Sequence, residues 1–543
     1  AVINAQFNNT ETGTAHLSGL TLEDAVGSAG IPFTNQGQMI LRKLKSLGQL
    51  ADHSPVLRPI INGSISNSKA KLFIEDSGYS YGVDERKKGR ELKYGGFAFG
   101  KTVNYGTIGF KNGTYHIRGD FENIGIHEVL PGQDLWYFDL LNYGEIQSNS
   151  DYRMDHTRGK VKKIGKVRVK GELLLQFSDD EDAADPICFN DILAEKKVIV
   201  EAQSFTHHAE VVPYPRQPGL AAFYLGGNWE FRVNHFTHAG SLEANQLKII
   251  SDHFTIGTSN DRMGQIWVLK DPSKKEGQDN SLVLINPYTT LYLAHAQLFA
   301  EGPITLQSET GGVVFGNAPI VRQRPTVYNH QACGYFTPSF NYQYADKNSS
   351  SLASNGPIEI KAAPGHAIKI AYSQIEGRNR LRFFVPHGTI TNLSSRIMSQ
   401  GYISIQGHSF ENRSDIIQAW NCTPGNPDGV NCYYSWQQFH VSDAAELISE
   451  KASILFETDC VLNEASTIRA AQKITNHRVD HSHLLGSTFT NQSRPLSYWF
   501  KWDRHGSQCG SGHTFDGWYQ VDNKTPVYAE VSAFLQAGED IVL

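Results

Sequence analysis

Between Lys166 and Phe177 the chain alternates, and this constrains its fold more than any other stretch. Val167, Val169, Leu173, Leu175 and Phe177 fall on one side with Gly171 among them, and Arg168, Lys170, Glu172 and Gln176 fall on the other. Leu174 is the exception. A period of two sustained over this length belongs to a strand with one buried face and does not fit a helix. Upstream, the apolar run Leu135–Leu141 follows a Pro131-Gly132 turn and suits a strand buried on both faces. Shorter extended text recurs at Val198–Ala202, Trp229–Val233, Ile266–Leu269, Leu282–Ile285, Leu291–Leu293 and Ile358–Ile360. It continues at Ala367–Tyr372, Leu381–Val385, Tyr402–Ile405, Tyr498–Trp502 and Val527–Phe534. Loops rich in Gly, Asn and Pro separate these runs, and Lys347–Gly356 reads as an exposed loop tip.

Helical text is confined to three places. Thr21-Leu22-Glu23-Asp24 reads as a capping box, followed by an apolar stripe of Ile40, Leu41, Leu44 and Leu47. Asp443 with Glu446 predicts a helix through Leu455, and Glu464–Ile474 predicts another. No internal repeat at a fixed period stands out, nor an evenly spaced coil pattern of the kind a parallel β-helix requires.

Composition narrows the function classes. At 543 residues the chain holds two to four domains, or one sheet domain with large insertions, and needs no metal or disulfide to build a core. Apolar residues make up 40% and charged residues 19%, which excludes a disordered chain. The deficit of charge is filled by Asn, Ser, Thr, Gln, Gly and Tyr, a make-up associated with extracellular proteins, capsids and phage-tail components. A net charge of −6 argues against a surface that grips nucleic acid throughout, and there is no basic arm beyond the small cluster Arg42, Lys43 and Lys45. No signal peptide and no run long enough to cross a bilayer is found, so the expectation is a soluble protein.

Of the six cysteines, only Cys422 and Cys432 are close, flanking a turn-rich stretch that a hairpin disulfide would close; buried free thiols account for them equally well. Nine Asn-x-Ser/Thr sequons begin at Asn8, Asn62, Asn112, Asn348, Asn392, Asn412, Asn421, Asn491 and Asn523, and chance accounts for them in a chain this rich in Asn and Ser. Phosphate-binding loops, GxSxG, HExxH and the kinase set are absent. No catalytic residue and no cofactor is therefore assigned. His477, Asp480, His481 and His483 have a spacing that suits a divalent cation, although a solvated loop explains them more simply, and metal binding is left open. His235 and His238 share a side only on an irregular strand, and His207-His208 is a weaker signal. The acidic run Asp179, Asp180, Glu181, Asp182 and Asp185 reads as a solvated loop. Tyr498, Trp499, Phe500, Trp502, Trp518 and Tyr519 suit sugar stacking, sheet core or a subunit interface.

The order of these elements resembles the coat proteins of small non-enveloped icosahedral viruses, the parvovirus and densovirus kind in particular. A turn leads into an apolar strand, a polar excursion follows, then the long alternating strand, then short strands between very large loops. The resemblance implies a mainly β fold: a single eight-stranded antiparallel jelly roll with very large loop insertions and a few short helices. It implies an arm with short helices over residues 1–55 and a capsid domain over 56–543. The implied function is a structural coat protein of the virion that self-assembles into a closed shell of many copies. Such a shell packages viral nucleic acid through local inner patches and attaches to a host receptor, including glycans. The alternative is a secreted or phage-tail β-rich protein that binds or cleaves polysaccharide; a third reading is a metal-dependent hydrolase built on His477–His483.

Overall fold

The alternation at Lys166–Phe177 is present, but the chain turns a corner in the middle of it. In the computed structural model Lys166–Val169 and Glu172–Gln176 are separate strands in different sheets, with Gly171 between them. Both strands keep the same parity inward, so Val167, Val169, Leu173, Leu175 and Phe177 are all buried. Leu174 breaks the pattern because it faces out, paired with Ile199 of the next strand. A Cβ on Gly171 would lie 2.1 Å from Asp151 Oδ1 and 2.5 Å from its backbone nitrogen, so the corner passes too close to the preceding turn for any side chain.

The structure describes residues 8–18, 33–42, 59–76, 97–99, 101–117, 119–155, 160–177, 192–208, 223–258, 263–270, 280–316, 350–414, 417–420, 435–438, 444–477, 488–509 and 513–542. Strands one turn apart pair in parallel. Thr102, Phe121 and Leu140 are successive partners on one face, and Thr107, Ile126 and Glu145 on the next, each step being 19 residues. The strands Asn8–Asn9, Thr14–Ser18, Phe33–Asn35 and Gln38–Arg42 stack in the same two sheets. The chain is thus a parallel β-helix, each turn laying a short strand on each of up to three faces.

In the second half the three faces repeat in order. Gln374–Gly377 lies on the first, Leu381–Phe384 on the second and Thr389–Leu393 on the third, and Arg396–Ser399 returns to the first. The halves are joined by one strand, Phe223–Ile256, which pairs in turn with Lys197–His208, Gly264–Val268 and Leu282–Asn286. Gly240, at a φ of 91°, stands where it changes partners.

Several expectations are corrected by this architecture. The chain does not form a single antiparallel eight-stranded jelly roll. Among the described residues, antiparallel strands pair only in two hairpins, Ile417–Trp420 with Ser435–Gln438 and Arg494–Cys509 with His513–Val531. The run Leu135–Leu141 is split between Gln133–Trp136 and Asp139–Asn142, with Phe138 exposed at the corner. The helix expected over Asp443–Leu455 contains the strand Glu446–Ser449 and the start of Ile454–Glu457. The helix expected over Glu464–Ile474 contains Thr467–Ala470 and the start of Ile474–Asn476. Two short strands joined by a tight corner place apolar residues two and then four apart, as at Ile468, Ala470 and Ile474, and this imitates a helical stripe. Ile40 and Leu41 lie on opposite sides of Gln38–Arg42; Leu44, Leu47 and the proposed capping box fall outside the described residues. The expected loop tip near residue 350 contains the strand Ser351–Ser354. No helix among the described residues is long and apolar enough to cross a membrane.

Two devices fix the register of the turns. The first is a pair of asparagine ladders inside the coil. Asn9, Asn35, Asn62, Asn104, Asn123 and Asn142 form one, each Nδ2 donating to the next Oδ1 at 2.6–2.8 Å. Asn392, Asn412, Asn463 and Asn491 form the other. A primary amide carries donor and acceptor on one head, so identical residues at the strand spacing of about 4.8 Å satisfy one another. The second device is close contact between successive backbones. A Cβ on Gly125 would lie 2.0 Å from Gly106 O, and one on Gly144 would lie 2.0 Å from Gly125 O. Between the faces the core is filled by aliphatic columns such as Ile358, Leu381, Ile403, Ile454 and Ile474, all fully buried. Each such burial contributes roughly 1.5–3 kcal/mol.

Candidate functional site

Because inward positions are filled by the core, function must be sought on the outward positions and at the corners. The chain's longest excursions in its second half leave at a single corner, the one joining the third face to the first. They lie between Val313–Phe315 and Ser351–Ser354, between Ser409–Arg413 and Glu446–Ser449, and between Thr488–Gln492 and Phe534–Ala537. The other turns at this corner close in a few residues, for example through Ser394 and Ser395. All three excursions are rich in Tyr, Trp and Phe. The first face adjoins this corner on every turn.

The outward residues of the first face form two columns. One runs Ser241, Gln265, Gln297, Ser351, Gln374, Arg396, Glu446 and Thr467; the other runs Glu243, Trp267, Phe299, Ala353, Glu376, Met398, Ile448 and Arg469. Parallel pairing in register places each residue one strand spacing from the next. The rings of Trp267 and Phe299 stand 6.2 Å apart at 54°. Beside them is a hollow of about 250 Å³ lined by Trp267, Gln297, Leu298, Phe299, Ser351, Leu352, Ala353, Gln374 and Glu376. Leu298 and Leu352 point inward and are buried, so their backbone forms the floor.

Polar groups along the hollow are held in place by one another. Ser241 Oγ donates to Gln265 Oε1, and Gln265 Nε2 donates to Gln297 Oε1 at 2.9 Å. Gln374 Nε2 donates to Glu376 Oε1. Further along, Arg396 pairs with Glu446 at 3.2 Å. Burial falls along the face: Ser241, Glu243, Gln265 and Trp267 are buried, whereas Gln374 and Arg396 are exposed. Small Ser351 and Ala353 opposite Gln297 and Phe299 leave the space between the two ends.

Around the hollow this surface offers the partly exposed ring of Phe299, the amides of Gln297 and Gln374 and the Glu376 carboxylate. Paired-carboxylate hydrolysis needs two such groups roughly 5–9.5 Å apart. Glu243 and Glu376 are separated by four strand steps, about 19 Å at the usual spacing. No two carboxylates in the two columns lie on neighbouring strands.

A second hollow of about 260 Å³ lies between the turns at Val129–Leu135 and Ser150–Met154. Two of the charged side chains that line it are engaged within the protein. Asp151 accepts from the Glu172 amide and pairs with Lys196, and Arg153 bonds Gln176. The Asp151 carboxyl is held below its ordinary pKa, first by the Glu172 amide and then by Lys196.

The histidines singled out in the sequence are not brought together as a metal site. His235 is exposed and His238 is fully buried, so they do not face the same way. His238 stacks on His207 at 5.6 Å, and His235 on His253 at 4.8 Å. No group of three potential metal ligands occurs among the described residues. His477 is exposed at the end of Ile474–Asn476, and Asp480, His481 and His483 lie outside the described residues. The acidic run from Asp179, Cys422 and Cys432 lie outside them as well. The strands flanking those two cysteines do pair as a hairpin. Tyr498, Trp502 and Trp518 belong to the longer hairpin, in register with Val527, Val521 and His505.

Three sequons, at Asn62, Asn392 and Asn412, are fully buried ladder residues and are closed to glycosylation in the folded chain. The residues missed in the sequence are Trp267, Phe299, Gln297, Gln374 and Glu376. Their signal was the outward parity of short runs such as Ile266-Trp267-Val268 and Leu298-Phe299-Ala300, where a large aromatic stands between two core residues. The chain matches no protein-family model, no curated protein and no solved structure.

Proposed function

We propose that this chain is a polysaccharide-binding β-helix of the secreted or phage-tail kind, which takes an extended glycan along its first face. The observation that carries the reading is the hollow where Trp267 and Phe299 stand beside Gln297, Gln374 and Glu376. Sugar rings present apolar CH faces and equatorial hydroxyls, and an aromatic platform edged by amides and a carboxylate is complementary to both. The sheet beneath is already ordered, so little conformational freedom is lost on binding. The columns run across the strands, so a polymer lying along them crosses one strand at each step.

A self-assembling coat protein is the second reading. It rested on the order of the elements, and the antiparallel jelly roll which that order implied is not formed. Binding of the protein to a panel of soluble polysaccharides, measured by calorimetry, tests the proposal. At least one polymer should bind, and Phe299→Ala should weaken it by tenfold or more. Binding unaffected by Phe299→Ala, or closed particles of many copies seen by electron microscopy without glycan binding, would overturn it.

A further inference from the structure

We infer that the glycan taken by the first face is uncharged or carries amino groups, and that uronate-bearing and other polyanionic polymers are rejected; this rests on the polysaccharide reading above. From Ser241 to Glu376 the outward columns span five strands and include two carboxylates, Glu243 and Glu376, and no lysine or arginine. The first cation met is Arg396, and its guanidinium is 3.2 Å from Glu446.

Recognition of carboxylate or sulfate groups draws on lysine and above all on the fork of arginine, whose paired N–H groups match an anion's two oxygens. Among the described residues the hollow has none, and an anionic sugar seated on Phe299 would sit two strands from the Glu376 carboxylate. Repulsion there is amplified because the hollow is partly shielded from water. The neighbouring excursions supply no surplus of positive charge: residues 317–349, 415–443 and 493–533 together hold seven Lys and Arg against eight Asp and Glu. The amides of Gln297 and Gln374 suit hydroxyl and N-acetyl groups, which carry no charge. Glu376 in turn favours a protonated amine.

The test compares one neutral polysaccharide that binds with its carboxymethylated derivative, together with uronate-bearing and amine-bearing polymers, at about 50 mM and about 500 mM salt. The neutral polymer should bind with affinity changed less than threefold by salt, and its carboxymethylated form at least tenfold more weakly. Glu376→Gln should narrow that gap by improving the anionic form. Tighter, salt-sensitive binding of the anionic polymers that is lost in Phe299→Ala would overturn the inference and leave the glycan-binding face standing. If no polymer loses affinity in Phe299→Ala, the reading beneath fails and the inference with it.

Discussion

Replacing Asn123 by alanine removes a central rung of the first asparagine ladder. Its Oδ1 accepts from Asn104 Nδ2 at 2.6 Å, and its own Nδ2 donates to Asn142 Oδ1 at 2.6 Å, Glu145 O at 3.2 Å and Gly125 O at 3.3 Å. Asn104 Nδ2 keeps Gly106 O and Ile126 O after the change, so the donor side is still satisfied. Asn142 Oδ1 loses its donor in a fully buried place. Stranding that acceptor costs about 1–3 kcal/mol, and the two short amide bonds are worth about 0.5–1.5 kcal/mol each. The expected loss is therefore ~2–6 kcal/mol.

Asn491, at the exposed end of the second ladder, is the control. Asn463 Nδ2 retains Ser466 O and Phe534 O when Asn491 is removed, and water reaches the site, so Asn491→Ala should cost no more than ~1.5 kcal/mol. Urea unfolding followed by far-UV circular dichroism reads both, with the slope compared as well, because stacked turns need not unfold as one unit. A loss below ~1 kcal/mol for Asn123→Ala, or equal losses in the two variants, would refute the ladder's role.

Other perturbations follow from the same packing. Gly125→Ala drives a Cβ to 2.0 Å from Gly106 O and should destabilise the first half by roughly 1–3 kcal/mol, seen as a lower melting temperature. His127 is buried between Phe110 and Phe121, and burial lowers its pKa to about 4 from the ordinary 6.5, against a smaller raising effect of Gln133. The unfolded chain then binds the extra proton first, so stability is full above pH 6.5 and falls as the pH drops toward 4. The loss is on the order of 3 kcal/mol at 1.36 kcal/mol per pH unit. His127→Leu should flatten the profile between pH 6.5 and 4, and an unchanged profile would contradict the assignment. Glu230 lies among Lys197, Arg232 and Lys248. Burial pushes its carboxyl pKa up, but hydrogen bonds from Lys197 and Arg232 outweigh burial and hold it below the ordinary range. Its contribution is thus present at neutral pH and lost in acid, and Glu230→Gln should lower the melting temperature at pH 7 more than at pH 3.

The strand content was legible in the sequence, and most of the runs read as extended are strands, Leu291–Leu293 to the residue. What the sequence hid was the corner. The alternation from Val167 to Phe177 passes through Gly171 without changing parity, so two strands on different faces read as one long strand in one sheet. The repeat was there to be found in the Asn-x-Gly triplets at Asn104, Asn123 and Asn142, nineteen residues apart, with Asn35-Gln36-Gly37 as an earlier copy. Excursions of unequal length between turns break that period elsewhere: Asn412 and Asn463 are ladder neighbours 51 residues apart. The binding face was invisible for the same reason. Trp267, Phe299 and Glu376 are scattered in sequence and share a surface only because parallel pairing stacks their strands.

Hydrogen–deuterium exchange with and without a bound polysaccharide tests the glycan-binding face most directly. The account predicts added protection in Gly264–Val268, Ala296–Ala300, Ser351–Ser354 and Gln374–Gly377, with Leu381–Phe384 and Thr389–Leu393 unchanged. Protection on the second or third face, with the first face unaffected, would contradict it.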